Sequence, residues 1–298
     1  MDPPLEGKDT LKATFYMVMS AVGFALMGLF VKLGSQRGFP VMEMIAARAG
    51  ISLILSYWDI HRKKLNPWGH NHRMLVMRGV LGFLALIAVY TSLTLLPLAE
   101  ATLIQYLHPI FTASLAWLFL NESASKATLI CMLLGFLGLL IISQPQAFGG
   151  QSISSSAVMI ALLGAAITAG AYTVVRHLSI SEHPSVIVLY FPLISFPATL
   201  IFGWDNFILP VGIDWFILLA IGMTTQLGQV TLTKGIALQT AGKAAAISYV
   251  QVVFAAILGV FVLGETLSLS TIIGAALIIS GIMLNQTEIY RKVFPPKR

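Results

Sequence analysis

Charge is scarce in this sequence. Of 298 residues only 10% are Asp, Glu, Lys or Arg, whereas 57% are hydrophobic and the mean hydropathy is +0.86. Soluble domains carry about 25% charged residues, because a globule of this size still leaves much of its surface in water. The shortage excludes an ordinary soluble domain and implies an exterior that faces lipid. Acids are scarcer than bases, 12 against 18, for a net charge of +6. The basic residues sit in short loops and not on one soluble face, which excludes nucleic acid as the expected partner. A single cysteine, Cys131, lies inside an apolar run, so no intrachain disulfide forms. A GxxxxGK[ST] phosphate loop, an HExxH pair and a GxSxG elbow are also missing. Their absence argues against an ATP-driven pump and against a membrane enzyme. His61, His70 and His72 cluster, yet Arg62, Lys63, Lys64 and Arg73 surround them, and no Cys or carboxylate completes a metal set. No metal or cofactor is expected.

Apolar segments near the ~20 residues that cross a hydrocarbon core recur along the whole chain. They run over 12–33, 40–58, 73–95, 99–120, 126–143, 155–178, 185–203, 212–235, 243–263 and 270–286. An all-α integral membrane protein of about ten transmembrane helices follows. Lys8 and Lys12 lead into the first span without a small-residue cleavage site, so that span reads as a retained helix. Lys and Arg resist translocation. With the N-terminus inside, Arg62, Lys63, Lys64, Arg73, Lys126, Arg176, Lys243, Arg291 and Lys292 collect on one side, against Lys32 and Arg37 on the other. Both termini are therefore expected in the cytoplasm, in an inner or plasma membrane.

The chain also matches itself without gaps at an offset of 143 residues. Ile104, Tyr106, Phe111, Ala113 and Leu115 fall on Ile247, Tyr249, Phe254, Ala256 and Leu258. The register continues through Glu122 on Glu265, Thr128 on Thr271 and Gly138 on Gly281. Two halves result, 12–143 and 155–286. The separation covers five spans, an odd number, so the halves enter the membrane from opposite sides. An inverted repeat of this kind lets one chain adopt inward- and outward-open states by exchanging the conformations of its halves. A secondary carrier is the expected class; no channel-like filter is visible.

The segments "PLAEATLIQYLHPIFTASLAWLFLNE" (Pro97 to Glu122) and "GKAAAISYVQVVFAAILGVFVLGE" (Gly242 to Glu265) resemble the EamA family of the drug/metabolite transporter superfamily. The opening "FALMGLFVKL" followed by "EMIAARAGIS", with Arg48 in the second span, is similar to that family's start. The resemblance covers nearly the whole chain. It implies two five-helix repeats, with helices 1–4 and 6–9 around a central cavity and helices 5 and 10 at the periphery. Cys131, Gly135, Gly138, Gly274, Ala275 and Gly281 suit close packing of those outer helices.

Arg48 is the most costly residue to place, because a charge at mid-span costs at least ~2.5–3.5 kcal/mol. It must face protein or water, and its planar fork suits a carboxylate or phosphate. Glu43, five positions earlier, is poorly phased to pair with it on the same helix. Gln105 and His108 share a helix face beside Tyr106, and Pro109 interrupts the backbone ladder there. A neutral core histidine and a proton-coupling group are both open readings of His108. The repeat places Ser248, Tyr249 and Gln251 at the corresponding depth, the eighth span adds Gln226 and Gln229, and Tyr90 and Tyr172 add hydroxyl-bearing rings. All of these but Gln229, ten residues with Arg48 included, are the candidate substrate site. Lys234 and Arg78 lie near span ends, where long side chains reach the surface. Glu122 and Glu265 are expected to contact the start of the following helix. The expected cargo is a small polar organic metabolite, with amino acids and organic carboxylates favoured by the basic groups. Larger or cationic metabolites, such as nucleoside derivatives or drugs, are the rival class. The lipid bilayer surrounds the chain, and a second copy in a homodimer is the macromolecular partner left open.

Overall fold

The computed structural model describes residues 7–95, 104–122, 125–143, 155–263 and most of 272–284. Glu100, Glu265, the 144–150 loop and the basic tail from Arg291 onward lie outside the described residues.

Apolar backbone cannot leave N–H and C=O groups unpaired in lipid, so each span is helical. The helices are α1 (Gly7–Gln36), α2 (Val41–Arg62), α3 (His72–Leu95), α4 (His108–Leu120), α5 (Lys126–Ser143), α6 (Ser155–Leu178), α7 (Pro184–Gly203), α8 (Asp214–Ala237), α9 (Ala241–Ile247) and α10 (Val250–Leu263). An eleventh, α11, covers Ile272–Gly281. Seven of the spans are long and apolar enough to cross a membrane, α9 and α10 together making one, and three shorter apolar helices complete the set. The fourth expected span is helical at Ile104 and Gln105, turns at Tyr106 and Leu107, and resumes as α4 at His108. Pro109 therefore sits in the first turn of α4, where its missing N–H leaves no partner unsatisfied. The ninth span breaks at Ser248 and Tyr249, the corresponding point of the second repeat.

The two halves pack by reciprocal contacts, as an internal two-fold requires. α1 lies on α8 as α6 lies on α3, and α1 meets α10 as α6 meets α4. α2 and α7, equivalent to one another, cross at the centre. At the periphery Gly138 of α5 approaches Gly274 of α11 so closely that an added Cβ would stand 2.5 Å from the Gly274 carbonyl oxygen. The mate of that contact is present too: a Cβ on Gly281 would stand 3.3 Å from Cys131. Small residues permit this approach, which replaces hydrophobic driving force with close packing.

Large apolar side chains such as Trp117, Phe119, Phe202, Trp215 and Phe261 stay exposed on the outside, where lipid receives them. The core between α1, α3, α6, α7 and α8 is built from Met17, Leu75, Val175, Leu178, Ile187, Leu232 and Ile236.

Each end of the bundle is tied by a carboxylate. At the end where α2, α6 and α8 finish, Glu122 takes Arg176 Nε at 2.6 Å and accepts the Ala241 N–H at 2.9 Å. Arg176 also donates to the Ala237 carbonyl at 3.2 Å. The expectation that Glu122 would contact the next helix in sequence is thus corrected. Asn121 turns the chain in the left-handed region, at φ 52°, and points the carboxylate at α6 and α9 instead. Beside it, buried Glu182 accepts the His70 and Asn71 N–H groups, both at 2.6 Å, and docks the His61–His72 loop. At the opposite end Glu43 accepts the Ile208 N–H at 2.8 Å, and Arg37 pairs with Asp214 at 2.7 Å.

Candidate functional site

Two pairs of symmetry-related residues meet near the centre of the bundle. Tyr249 donates its hydroxyl hydrogen to the Tyr106 carbonyl at 3.0 Å, and the two rings stack with centroids 5.9 Å apart. A helix break exposes that carbonyl, and the tyrosine hydroxyl satisfies it. The second pair joins α2 to α7. The Arg48 guanidinium carbon lies 5.1 Å from the centroid of Phe191, which is the residue 143 positions further on.

Between these pairs lies a cavity of about 200 Å³. Its polar wall comprises Arg48, Arg78, Tyr90, Gln105, Tyr106, His108, Thr168, Tyr172, Gln229 and Gln251, with Phe24, Met27, Leu86, Val89, Phe191 and Leu232 among the apolar members. Both repeats contribute, as does every helix from α1 to α8 except α5, with Gln251 of α10 facing them. Seven of the ten residues expected from sequence line this space: Arg48, Tyr90, Gln105, Tyr106, His108, Tyr172 and Gln251.

Three do not. Gln226 turns toward α2 and donates from Nε2 to Ser56 Oγ at 2.8 Å. Its neighbour Gln229, three residues further along α8, takes the cavity face instead. Ser248 hydrogen-bonds the carbonyl of Ala245 at 2.5 Å, closing the broken turn. Tyr249 is fully buried against Tyr106, away from the cavity surface. All three serve the packing that shapes the wall.

Arg78 is the member that sequence position concealed. Its side chain is 4% exposed and stays inside, with its guanidinium carbon 5.7 Å from the Phe191 centroid. Gly82, one turn on, leaves the slot: a Cβ there would meet Arg78 Nη1 and, at 2.7 Å, the Phe191 ring. The glycine at that spacing was the available signal. Lys234, by contrast, lies outside the cavity wall with its ammonium 5.5 Å from the Tyr16 ring centroid.

The site is polar and under-satisfied. Arg48 Nε, Arg78 Nε and Nη1, the Tyr90 hydroxyl, His108 Nδ1 and the side-chain oxygens of Gln105 and Gln229 are all buried without a hydrogen-bond partner. Orphaned buried polar groups are expensive and rare in finished cores, so this concentration makes the cavity the candidate functional site. His108 packs edge-on to Tyr172, with centroids 5.2 Å apart. No Asp or Glu lines the cavity among the described residues, and no group of three metal-ligating side chains occurs among them.

The relatives agree with this architecture. The pseudopaline exporter CntI of Pseudomonas aeruginosa is 30% identical over 94% of this chain and 98% of its own length. Solute carrier family 35 member G1 of Mus musculus is 29% identical, over 81% of this chain and 69% of the relative. A crystal structure at 18% identity shares the fold with a TM-score of 0.83, covering 94% of this chain and 98% of that one. The model of the EamA-like transporter family matches residues 11–144 and again 155–287. The chain is thus a multi-pass membrane transporter, and it belongs to the EamA-like transporter family of the drug/metabolite transporter superfamily.

Proposed function

We propose that this transporter is a secondary carrier that moves small organic carboxylates, amino acids among them, by alternating access. Arg48 carries the reading. Arg48 is 5% exposed in the wall of a cavity shared by both repeats, and among the described residues it has no carboxylate partner. Burying an unpaired charge is costly, and an anionic ligand supplies the missing partner through a charge-assisted hydrogen bond. Gln105, Gln229, Gln251 and the Tyr90 hydroxyl then hold the remaining polar atoms, while Tyr106, His108 and Tyr172 form one side of the pocket. A cavity of about 200 Å³ lies below the ~300–1,000 Å³ that drug-sized ligands need, which favours small acids over nucleoside derivatives or drugs.

The inverted repeat supplies the mechanism. The two packings related by the internal two-fold are close in energy, and exchanging them moves the closed end of the cavity from one face to the other. The basic loops 61–73 and the Arg176–Glu122 end lie on the cytoplasmic side in this reading, together with both termini, in an inner or plasma membrane. The resemblance to an exporter supports outward movement.

Reconstitution in proteoliposomes tests the reading. Labelled organic acids and amino acids should accumulate by counterflow, and Arg48→Ala should abolish that uptake while the melting temperature stays within a few degrees of wild type. Loss of cationic and anionic substrates alike, with a large drop in melting temperature, would assign Arg48 to structure and overturn the carboxylate reading.

A further inference from the structure

We propose that Arg78 and Arg48 form a paired-guanidinium site, selective for ligands that carry two anionic groups joined by a short apolar linker. The inference deepens the carboxylate reading and rests on it. Both guanidinium carbons stand beside one ring, 5.1 and 5.7 Å from the Phe191 centroid. Neither cation is neutralised. Arg48 Nη1 reaches only the Met27 sulfur, at 3.5 Å, and Arg48 Nε, Arg78 Nε and Arg78 Nη1 are buried without acceptors. Among the described residues, the acids nearest the helix ends are committed there: Glu122 to Arg176, Glu182 to the His70 loop, Glu43 to Ile208 and Asp59 to Lys63 and Ser185.

Two buried like charges with no counter-ion among the described residues repel one another, and a ligand with two anionic groups compensates both. One anionic group leaves the second guanidinium uncompensated; two satisfy both. Phe191 lies beside both cations in the cavity wall, an apolar neighbour for a short linker between the two anionic groups, and the oxygens of Gln105 and Gln229 accept from any remaining donor on the ligand.

The residue equivalent to Arg78 in the second repeat is Ile221, buried in the apolar cluster of Met44, Ile217 and Leu218, so that helix crossing does not require a charge at this position. The equivalent of Arg48 is Phe191 itself, so at the α2–α7 crossing one half carries a guanidinium where the other carries a ring. The approach is also prepared: without side chains at Gly79 and Gly82, α3 lies close enough to α7 that a Cβ on Gly79 would stand 2.5 Å from the Tyr190 carbonyl oxygen. That contact brings Arg78 inward.

The experiment pairs each diacid with its half-amide, a near-isostere lacking one charge. Succinate, glutarate and adipate are compared with succinamate, glutaramate and adipamate as competitors of counterflow in proteoliposomes and as ligands in thermal-shift assays. On the wild-type protein at least one diacid should compete about tenfold more effectively than its half-amide. Arg78→Gln should bring the diacid and its half-amide to within about twofold of one another, and Arg78→Lys should restore part of the difference. The wild-type comparison needs no variant, so poor folding of Arg78→Gln would not shield the proposal. Equal competition by every diacid and its half-amide overturns the paired site but leaves the carboxylate reading standing. Failure of all six acids, alongside uptake of cations or nucleosides, overturns the carboxylate reading instead.

Discussion

Glu122 offers the sharpest test of how the bundle closes. Its carboxylate joins three elements at one end: the finish of α4 where it resides, Arg176 at the finish of α6, and the first N–H of α9. In Glu122→Gln the amide oxygen still accepts from Ala241, so the change removes the charged hydrogen bond to Arg176 and keeps the contact with α9. The pair is short, at 2.6 Å, and its side chains are 16% and 15% exposed. A hydrogen bond between charged groups contributes about 1.5–3 kcal/mol, and partial exposure to water pulls the value toward the lower part of that range. About 2 kcal/mol corresponds to roughly a thirtyfold change in an equilibrium constant. If this end opens during transport, the substitution shifts the population toward the open state by about that factor. Ala241 is fully buried, and the chain has one native cysteine, itself buried. A Cys131→Ala, Ala241→Cys protein thus reports opening through its rate of modification by a water-soluble maleimide. Adding Glu122→Gln should raise that rate by about ten- to thirtyfold, and adding Arg176→Gln to the Glu122→Gln protein should change it little further. An unchanged rate, or fully additive effects of the two substitutions, would refute the argument that this pair holds the end closed.

Other outcomes follow from the same geometry. Tyr249→Phe removes the one hydroxyl that satisfies the Tyr106 carbonyl; stability should fall by about 1–3 kcal/mol, read as a lower melting temperature in detergent, with no shift arguing that water replaces the bond. Gly138→Ala should destabilise by about 1–3 kcal/mol because its Cβ meets backbone, whereas Gly281→Ala, with more room, should cost less; the reverse order would contradict the packing of α5 on α11. His183 caps α7 by accepting the Ser185 N–H at Nδ1, 3.2 Å away. Burial, and then nearby Lys63, hold its imidazole below the ordinary value of 6.5. The unfolded chain therefore takes up this proton first, and stability is full above pH 6.5 and declines as pH falls toward the lower folded value. His183→Asn, which keeps a cap acceptor, should flatten that part of a melting-temperature profile; an unaltered slope would exclude His183 as its source.

The spans were legible because lipid admits so few solutions: an apolar run of the right length has to be a helix. The inverted architecture was legible as well, since a single register of 143 residues relates Tyr106 to Tyr249 and Gly138 to Gly281 across the whole chain. Most of the cavity wall followed from polar residues at mid-span depth. Depth alone could not tell Gln229, which faces the cavity, from Gln226, which bonds Ser56 on a neighbouring helix, because residues three apart differ by only about 60° around the helix axis, and the packed partner decides which of them meets the cavity. Arg78 was hidden for a related reason. A long side chain near a span end reaches water unless something holds it inside, and here the close contact of α3 with α7 through Gly79 and Gly82 does so. Glu122 closed a helix in sequence, but its partners Arg176 and Ala241 lie 54 and 119 residues away, a pairing that chain order does not encode. Hydrophobicity and periodicity act locally and can be read along the chain; which charges are left without partners is a property of the assembled bundle, and only there do two arginines converge on one phenylalanine.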